Sequence, residues 1–80
     1  MLGPVRDNKA LHRFEIDADG LTAFVTYRVA DGVLIFLHEE VPPAREGHGV
    51  GSALAKGALE LVRGSGLKII PKCPFIAACR

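Results

Sequence analysis

Residues 39–51 read EEVPPAREGHGVG and connect an extended apolar segment to an amphipathic helical pattern. The proline pair removes two N–H donors, so a strand cannot continue pairing through residues 42 and 43. Three alternate glycines then let backbone N–H groups point outward together, and the helix N-terminus adds unpaired donors. The stretch therefore predicts either a cradle for phosphate or pyrophosphate, or a tight strand-to-helix turn that binds no ligand.

Two other phosphate-binding motifs fit this stretch less well. A Walker A loop closes with Gly-Lys-Ser/Thr, whereas Gly51 is followed directly by Ser52. The dinucleotide fingerprint G-x-G-x-x-G requires a wider spacing of its third glycine than Gly51 has here.

Length and composition predict one globular domain over residues 1–80. A net charge of +1 and the absence of tryptophan argue against a nucleic-acid partner.

No segment has the pattern of a membrane span or a signal peptide, so we expect a cytoplasmic protein with no membrane contact. Cys73 and Cys79 lack the spacing of a zinc site, so we expect two free thiols and no metal.

Three antiparallel strands are predicted, over residues 12–16, 21–30 and 33–41. Asp31-Gly32 is a strong hairpin signal, and it pairs Ala30 with Val33, Tyr27 with Phe36, and Val25 with His38. The third strand is apolar on both faces, so we expect an internal strand that is covered on both sides.

A helix is predicted over residues 50–63, followed by a short strand over residues 67–70 and a final helical turn or two over residues 74–80. Gly57 within the buried stripe indicates a close approach between the helix and the sheet. A right-handed crossover makes the fourth strand parallel to the third. The predicted fold class is mixed α/β, also described as α+β.

In sheets of this kind, ligands bind beyond the carboxyl ends of the parallel strands. The residues at that edge are His38, Glu40 and Val41 on one strand and Lys72 and Cys73 after the next. A gap between the two strands would admit an extended chain carrying amide groups. Such a chain joined to a pyrophosphate describes coenzyme A.

Segments along nearly the whole chain resemble the very small GNAT-like N-acetyltransferases. They are Asn8, His12-Arg13-Phe14-Glu15, Tyr27-Arg28, Leu37-His38-Glu39-Glu40-Val41-Pro42, Glu46-Gly47-His48-Gly49-Val50-Gly51-Ser52-Ala53-Leu54 and Gly66-Leu67-Lys68-Ile69-Ile70-Pro71-Lys72-Cys73-Pro74-Phe75. The resemblance implies a GNAT-like core with a splayed pair of parallel strands that holds acetyl-CoA as co-substrate. It also implies acetyl transfer to an amine-bearing acceptor.

Two positions depart from that resemblance. Glu46 stands where the broader superfamily has arginine or glutamine, and either Arg45 or His48 is available to offset its charge. Cys79 stands where the small relatives usually have tyrosine, the acid expected to protonate the leaving thiolate.

The candidate catalytic residues are Glu40 as general base, His38 tuning it, and Cys73 beside the thioester. The alternatives are a half-buried histidine with a rim carboxylate, and a cysteine that only fills space. An N–H group near Val41 is also expected to stabilise the negative charge that develops on the thioester carbonyl oxygen. The candidate cofactor-binding residues are Val41, Gly47, His48, Gly49, Val50, Gly51 and Ser52.

Three classes of function stay open on the residues alone. The first is an N-acetyltransferase working by direct attack of the amine, and the second is a non-catalytic acyl-CoA-binding module. The third is a structural or interaction domain whose glycines only form a turn. We expect a monomer or a weak homodimer.

Overall fold

A computed structural model describes residues 2–72 and residue 76 of the chain. Five strands form one sheet in sequence order, with the first four antiparallel and the last parallel to its neighbour. The elements are β1 (Arg6–Asn8), β2 (Arg13–Ala18), β3 (Leu21–Ala30), β4 (Val33–Glu40), a 3-10 turn (Pro43–Arg45), α1 (Val50–Arg63) and β5 (Lys68–Pro71). The predicted helix, the hairpin at Asp31-Gly32 and the parallel last strand are all confirmed.

The antiparallel part has four strands, so the prediction of three was wrong. The additional strand β1 pairs Arg6 with Glu15 and Asn8 with Arg13. Three residues are too few to show the alternation of apolar and polar side chains that marks a strand. Strand β1 is recognised only by its pairing with β2 in the structure. The predicted final helix lies mostly outside the described residues; Ile76 is described, and it is fully buried in the core.

The register of β3 against β4 changes at a β-bulge. Tyr27 pairs with Phe36 as predicted, but Thr26 pairs with His38, which leaves Leu37 without a partner on β3. Val25 therefore lies opposite Glu39, and the predicted pairing of Val25 with His38 was wrong. Because a bulge inserts one residue, every β4 side chain beyond Leu37 is moved to the other face of the sheet.

Helix α1 packs against β2, β3 and β4 on one face of the sheet. The core lies between them and is built from Phe14, Ile16, Val25, Phe36, Leu54, Leu59 and Val62. Strand β4 is internal, as predicted, but within the described residues only one of its faces lies under a helix. On the other face Ile35 is partly exposed, and Leu37 at the bulge is 43% exposed. The expectation of cover on both sides was therefore wrong.

Gly57 is required by a neighbour other than the sheet. A Cβ added to Gly57 would lie 2.8 Å from the Val5 Cβ, closer than real side chains approach one another. Val5 belongs to the segment that leads into β1, and it packs against the core at the edge of α1. The glycine thus allows the N-terminal segment to pack closely against the helix.

No helix among the described residues has the length and apolar character needed to cross a bilayer.

Candidate functional site

The glycine turn (residues 47–51) adopts a backbone conformation that favours glycine. Gly47 and Gly49 have φ angles of 79° and 75°, in the left-handed region, and Gly49 is the N-cap of α1. Gly49 provides no side-chain cap, and the first turn of α1 contains no acidic residue. The first N–H groups of the helix therefore keep their hydrogen-bonding capacity and the partial positive charge of the helix N-terminus.

A Cβ added at Gly47 or at Gly49 would meet no heavy atom within 4 Å. The turn is therefore open on the side where a side chain would stand, so no neighbouring atom closes off that approach to its backbone.

Arg45 ties the glycine turn to the hairpin between β2 and β3. Its Nε donates to the Ala18 carbonyl at 2.9 Å, and its Nη2 donates to the Asp19 carbonyl at 2.9 Å. Both acceptors are backbone carbonyls. These hydrogen bonds hold the Arg45 guanidinium beside the turn.

Two pockets flank the end of β4. We name one the cofactor-side pocket after the ligand expected from the sequence. It has a volume of about 490 Å³ and is lined by Glu39, Val41, Arg45, Glu46, Gly47, Gly49, Val50, Gly51 and Ser52. The other, named the acceptor-side pocket on the same expectation, has a volume of about 420 Å³ and is lined by Thr22, Phe24, Glu39, Glu40, Val41, Pro42, Pro43 and Glu46. Glu39, Val41 and Glu46 line both, so these two pockets meet at the carboxyl end of β4.

Strand β5 stops pairing with β4 before β4 ends. The last pair of the parallel ladder is Phe36 with Pro71, and one further hydrogen bond joins the Lys72 N–H to the Phe36 carbonyl at 3.1 Å. Beyond Phe36, the edge of β4 that faces β5 has no strand partner among the described residues. This unpaired edge ends at Glu40, and the next residue, Val41, lines the cofactor-side pocket.

His38 and Glu40 share one face, as predicted, with His38 Nε2 3.5 Å from Glu40 Oε1. Their side chains are 64% and 62% exposed, so the alternative of a half-buried histidine does not apply. The bulge places them opposite Thr26 and Phe24, on the sheet face away from α1. Of the two, only Glu40 lines a pocket at the end of β4, the one on the acceptor side.

Glu39 is a candidate residue that the sequence did not indicate. It lies opposite Val25 on the face covered by α1, and its Oε2 atom is buried with no hydrogen-bond partner. Burial raises the pKa of Glu39 to about 7, although the nearby charge of His38 acts in the opposite direction. Such a carboxyl exchanges a proton near neutral pH, which a general base requires.

A model of GCN5-related N-acetyltransferases matches residues 13–79, which is most of the chain. The chain belongs to this family. The resemblance drawn from the motifs is thereby confirmed, and membership indicates an acyltransferase. A search of curated proteins found no match.

The remaining candidate residues occupy different places. The side chain of Val50 is buried in the core, so Val50 can serve a ligand only through its backbone. Gly51 and Ser52 line the cofactor-side pocket, whereas His48 does not. Cys73 and Cys79 lie outside the described residues. Within the described part of the chain, no group of three or more His, Cys, Asp and Glu side chains is placed to hold a metal.

Proposed function

We propose that the protein is an acetyl-CoA-dependent N-acetyltransferase in which an acceptor amine attacks the bound thioester directly. The observation that carries the proposal is the position of the open glycine turn, immediately beside the unpaired edge of β4. One element suits a pyrophosphate and the other suits a chain of amide groups, and coenzyme A contains both in that order.

In the proposed complex, backbone N–H groups of residues 47–52 donate to the pyrophosphate. The open space above Gly49 and the absence of a side-chain cap support this assignment. The pantetheine amides pair with the unpaired edge of β4, as an added strand would. The carboxylates of Glu39 and Glu46 oppose the phosphate charge, and Arg45 offsets them.

Two carboxylates at the end of β4 are candidates for the general base. Glu40, with His38 beside it, was predicted from its position, but both side chains lie largely in water. Glu39 lines both pockets, and its pKa of about 7 gives it a useful population of each protonation state at neutral pH. We therefore propose Glu39 as the base, with Glu40 facing the acceptor.

In the proposed reaction, the C–N bond forms as the C–S bond breaks, and the amine proton passes to Glu39. Coenzyme A leaves as a thiolate that takes a proton from solvent. The N–H near Val41 stabilises the negative charge on the carbonyl oxygen. No acyl-cysteine is needed, since a thiol at its usual pKa of about 8.5 is mostly protonated at neutral pH. Cys73 is accordingly not proposed as a nucleophile.

The acceptor-side pocket favours a positively charged acceptor. Glu39, Glu40 and Glu46 line it, and Phe24 supplies an aromatic wall. An amine that arrives protonated is attracted by these carboxylates, and it must lose a proton to one of them before attack.

Calorimetry with acetyl-CoA, followed by a free-thiol assay with spermidine and butylamine as acceptors, tests the proposal. We expect binding in the micromolar range, about −8 kcal/mol, and faster thiol release with the polyamine. Binding without turnover over a panel of amines and a lysine-containing peptide would instead indicate the non-catalytic acyl-CoA-binding module. Absence of binding would leave the glycines as a turn only.

A further inference from the structure

A third cavity lies at the opposite end of α1 from the glycine turn. It has a volume of about 860 Å³ and opens between the last turn of the helix and the adjacent ends of the strands. It shares no lining residue with the two pockets at the end of β4. Pockets of this size accommodate small organic molecules.

The floor and walls of this cavity are apolar and partly aromatic. Phe14, Tyr27 and Leu34 are buried side chains that nevertheless line it. The rings of Phe14 and Tyr27 lie 4.9 Å apart between centroids, and His12 meets Tyr27 edge-on at 6.1 Å. Val29 and Leu61 at the rim are 47% and 46% exposed, an apolar surface that a ligand would cover.

One carboxylate is held beside the aromatic wall. The Tyr27 hydroxyl donates to Asp7 Oδ1 at 2.6 Å, and Asp7 forms no ion pair with any other described residue. Burial, with a contribution from Asp7, raises the pKa of Tyr27 to about 12, so the phenol stays a donor at neutral pH. The hydroxyl therefore holds one Asp7 oxygen, and the exposed carboxylate is left accessible to a ligand.

The other charges around the cavity come from several elements. Lys9 and Arg28 bring positive charge to the rim, and Glu60 brings negative charge, while His12 lies against the aromatic wall. The carboxyl end of α1, at Gly64 and Ser65, adds the partial negative charge of a helix C-terminus. Asp7 differs from the other charged groups because a buried hydroxyl orients it.

We infer that this cavity binds a small organic cation, with its aromatic or aliphatic body against Phe14 and Tyr27 and its ammonium group paired with Asp7. The site is separate from the proposed acetyl-transfer site and does not depend on it. A ligand here would contact the C-terminal turn of the helix whose N-terminus forms the glycine turn.

Amide NMR titration of the full chain without acetyl-CoA tests the inference, using benzylamine, benzyl alcohol and benzoate as probes of one shape. We expect benzylamine to shift the signals of Val29, Leu61 and Ser65 and to bind about threefold or more tightly than benzyl alcohol, with benzoate weakest. Equal affinity for all three probes, no saturable binding, or shifts confined to residues 47–52 would overturn the inference.

Three variants locate the site. Asp7→Asn keeps an acceptor for the Tyr27 hydroxyl but should remove the advantage of benzylamine over benzyl alcohol. Leu61→Trp should fill the cavity and weaken both probes about tenfold. Leu21→Trp is the control, because Leu21 is similarly exposed, at 38%, and lies outside the cavity. Parental benzylamine affinity in a folded Leu61→Trp variant would contradict the assignment.

Discussion

Glu39 and Glu40 are identical neighbours in the chain, and their environments make them chemically different. Glu40 lies in water beside His38, whereas Glu39 has a buried oxygen without a partner. The cause is the bulge at Leu37. It places Glu39 on the face covered by α1 and Glu40 on the opposite face. Under the proposed function, the two residues therefore have separable roles.

Glu39→Gln should not weaken acetyl-CoA binding, since it removes a negative charge near the phosphates. It should slow acetyl transfer about 100-fold or more, because the amide cannot accept the amine proton. In the parent protein the rate should rise with pH through about 7, the pKa of Glu39, as its carboxyl ionises. Glu40→Gln is the matched control and should keep that pH profile. A normal rate in Glu39→Gln together with a slow Glu40→Gln would return the role of base to Glu40.

Among the elements, α1 contributes most to the proposed site through its N-terminus, where Gly49 is the N-cap. Under the proposed function, Gly49 is also a residue that the pyrophosphate approaches. A second glycine offers the same conformation at the other end of the helix. Gly66 has a φ angle of 79°, against 75° for Gly49, and an added Cβ would meet nothing within 4 Å at either position.

Gly49→Val should weaken acetyl-CoA binding about tenfold, which is about 1.4 kcal/mol, because the side chain would occupy the space of the pyrophosphate. Gly66→Val carries a similar backbone strain and should bind acetyl-CoA as the parent does. Calorimetry on both variants, with their folded state checked by circular dichroism, measures the difference. Equal affinities in the two variants would place the pyrophosphate elsewhere.

At the scale of the whole molecule, two groups of carboxylates act on stability in opposite directions as pH changes. Glu15 is 4% exposed, and burial alone would raise its pKa. Hydrogen bonds from Arg13 at 2.6 Å and from Asn8 at 3.0 Å, with the charge of Arg6, outweigh burial and lower it. A hydrogen bond from Arg6 likewise lowers the pKa of Asp17, whereas that of Glu39 is raised.

The lowered pKa values of Glu15 and Asp17 stabilise the fold above about 4.5 and 3.8, their reference values, and that stability is lost as pH falls through the lower folded values. The raised pKa of Glu39 has the opposite effect, so stability is lost as pH rises from about 4.5 through about 7. Thermal unfolding should therefore give the highest Tm at roughly pH 5.

Glu39→Gln should flatten the decline in Tm on the alkaline side and leave the fall in acid unchanged. Glu15→Gln should lower Tm most at neutral pH, where the buried carboxylate holds β1 to β2. A parent Tm that rises steadily from roughly pH 5 to 8 would contradict the environment assigned to Glu39.

Local chemistry was sufficient to predict much of this fold. Asp31-Gly32 supplies the backbone conformation of a tight hairpin, the spacing of apolar residues defines α1, and the proline pair with three glycines ends β4 and opens the helix. Each of these features depends on residues that are adjacent in the chain, so it can be predicted from the sequence. The family resemblance and the position of the glycine turn were also predicted from such short motifs.

Contacts between distant residues decided the rest. The three residues of β1 form a strand because Arg6 and Asn8 reach Glu15 on β2, and Gly57 is needed because Val5 packs directly against it. The bulge at Leu37 has no local signal, since its extra residue exists only relative to the partner strand β3. Because a shift of one residue reverses the face of every later side chain, tertiary pairing alone decided that Glu39, rather than Glu40, lies half-buried on the face covered by α1.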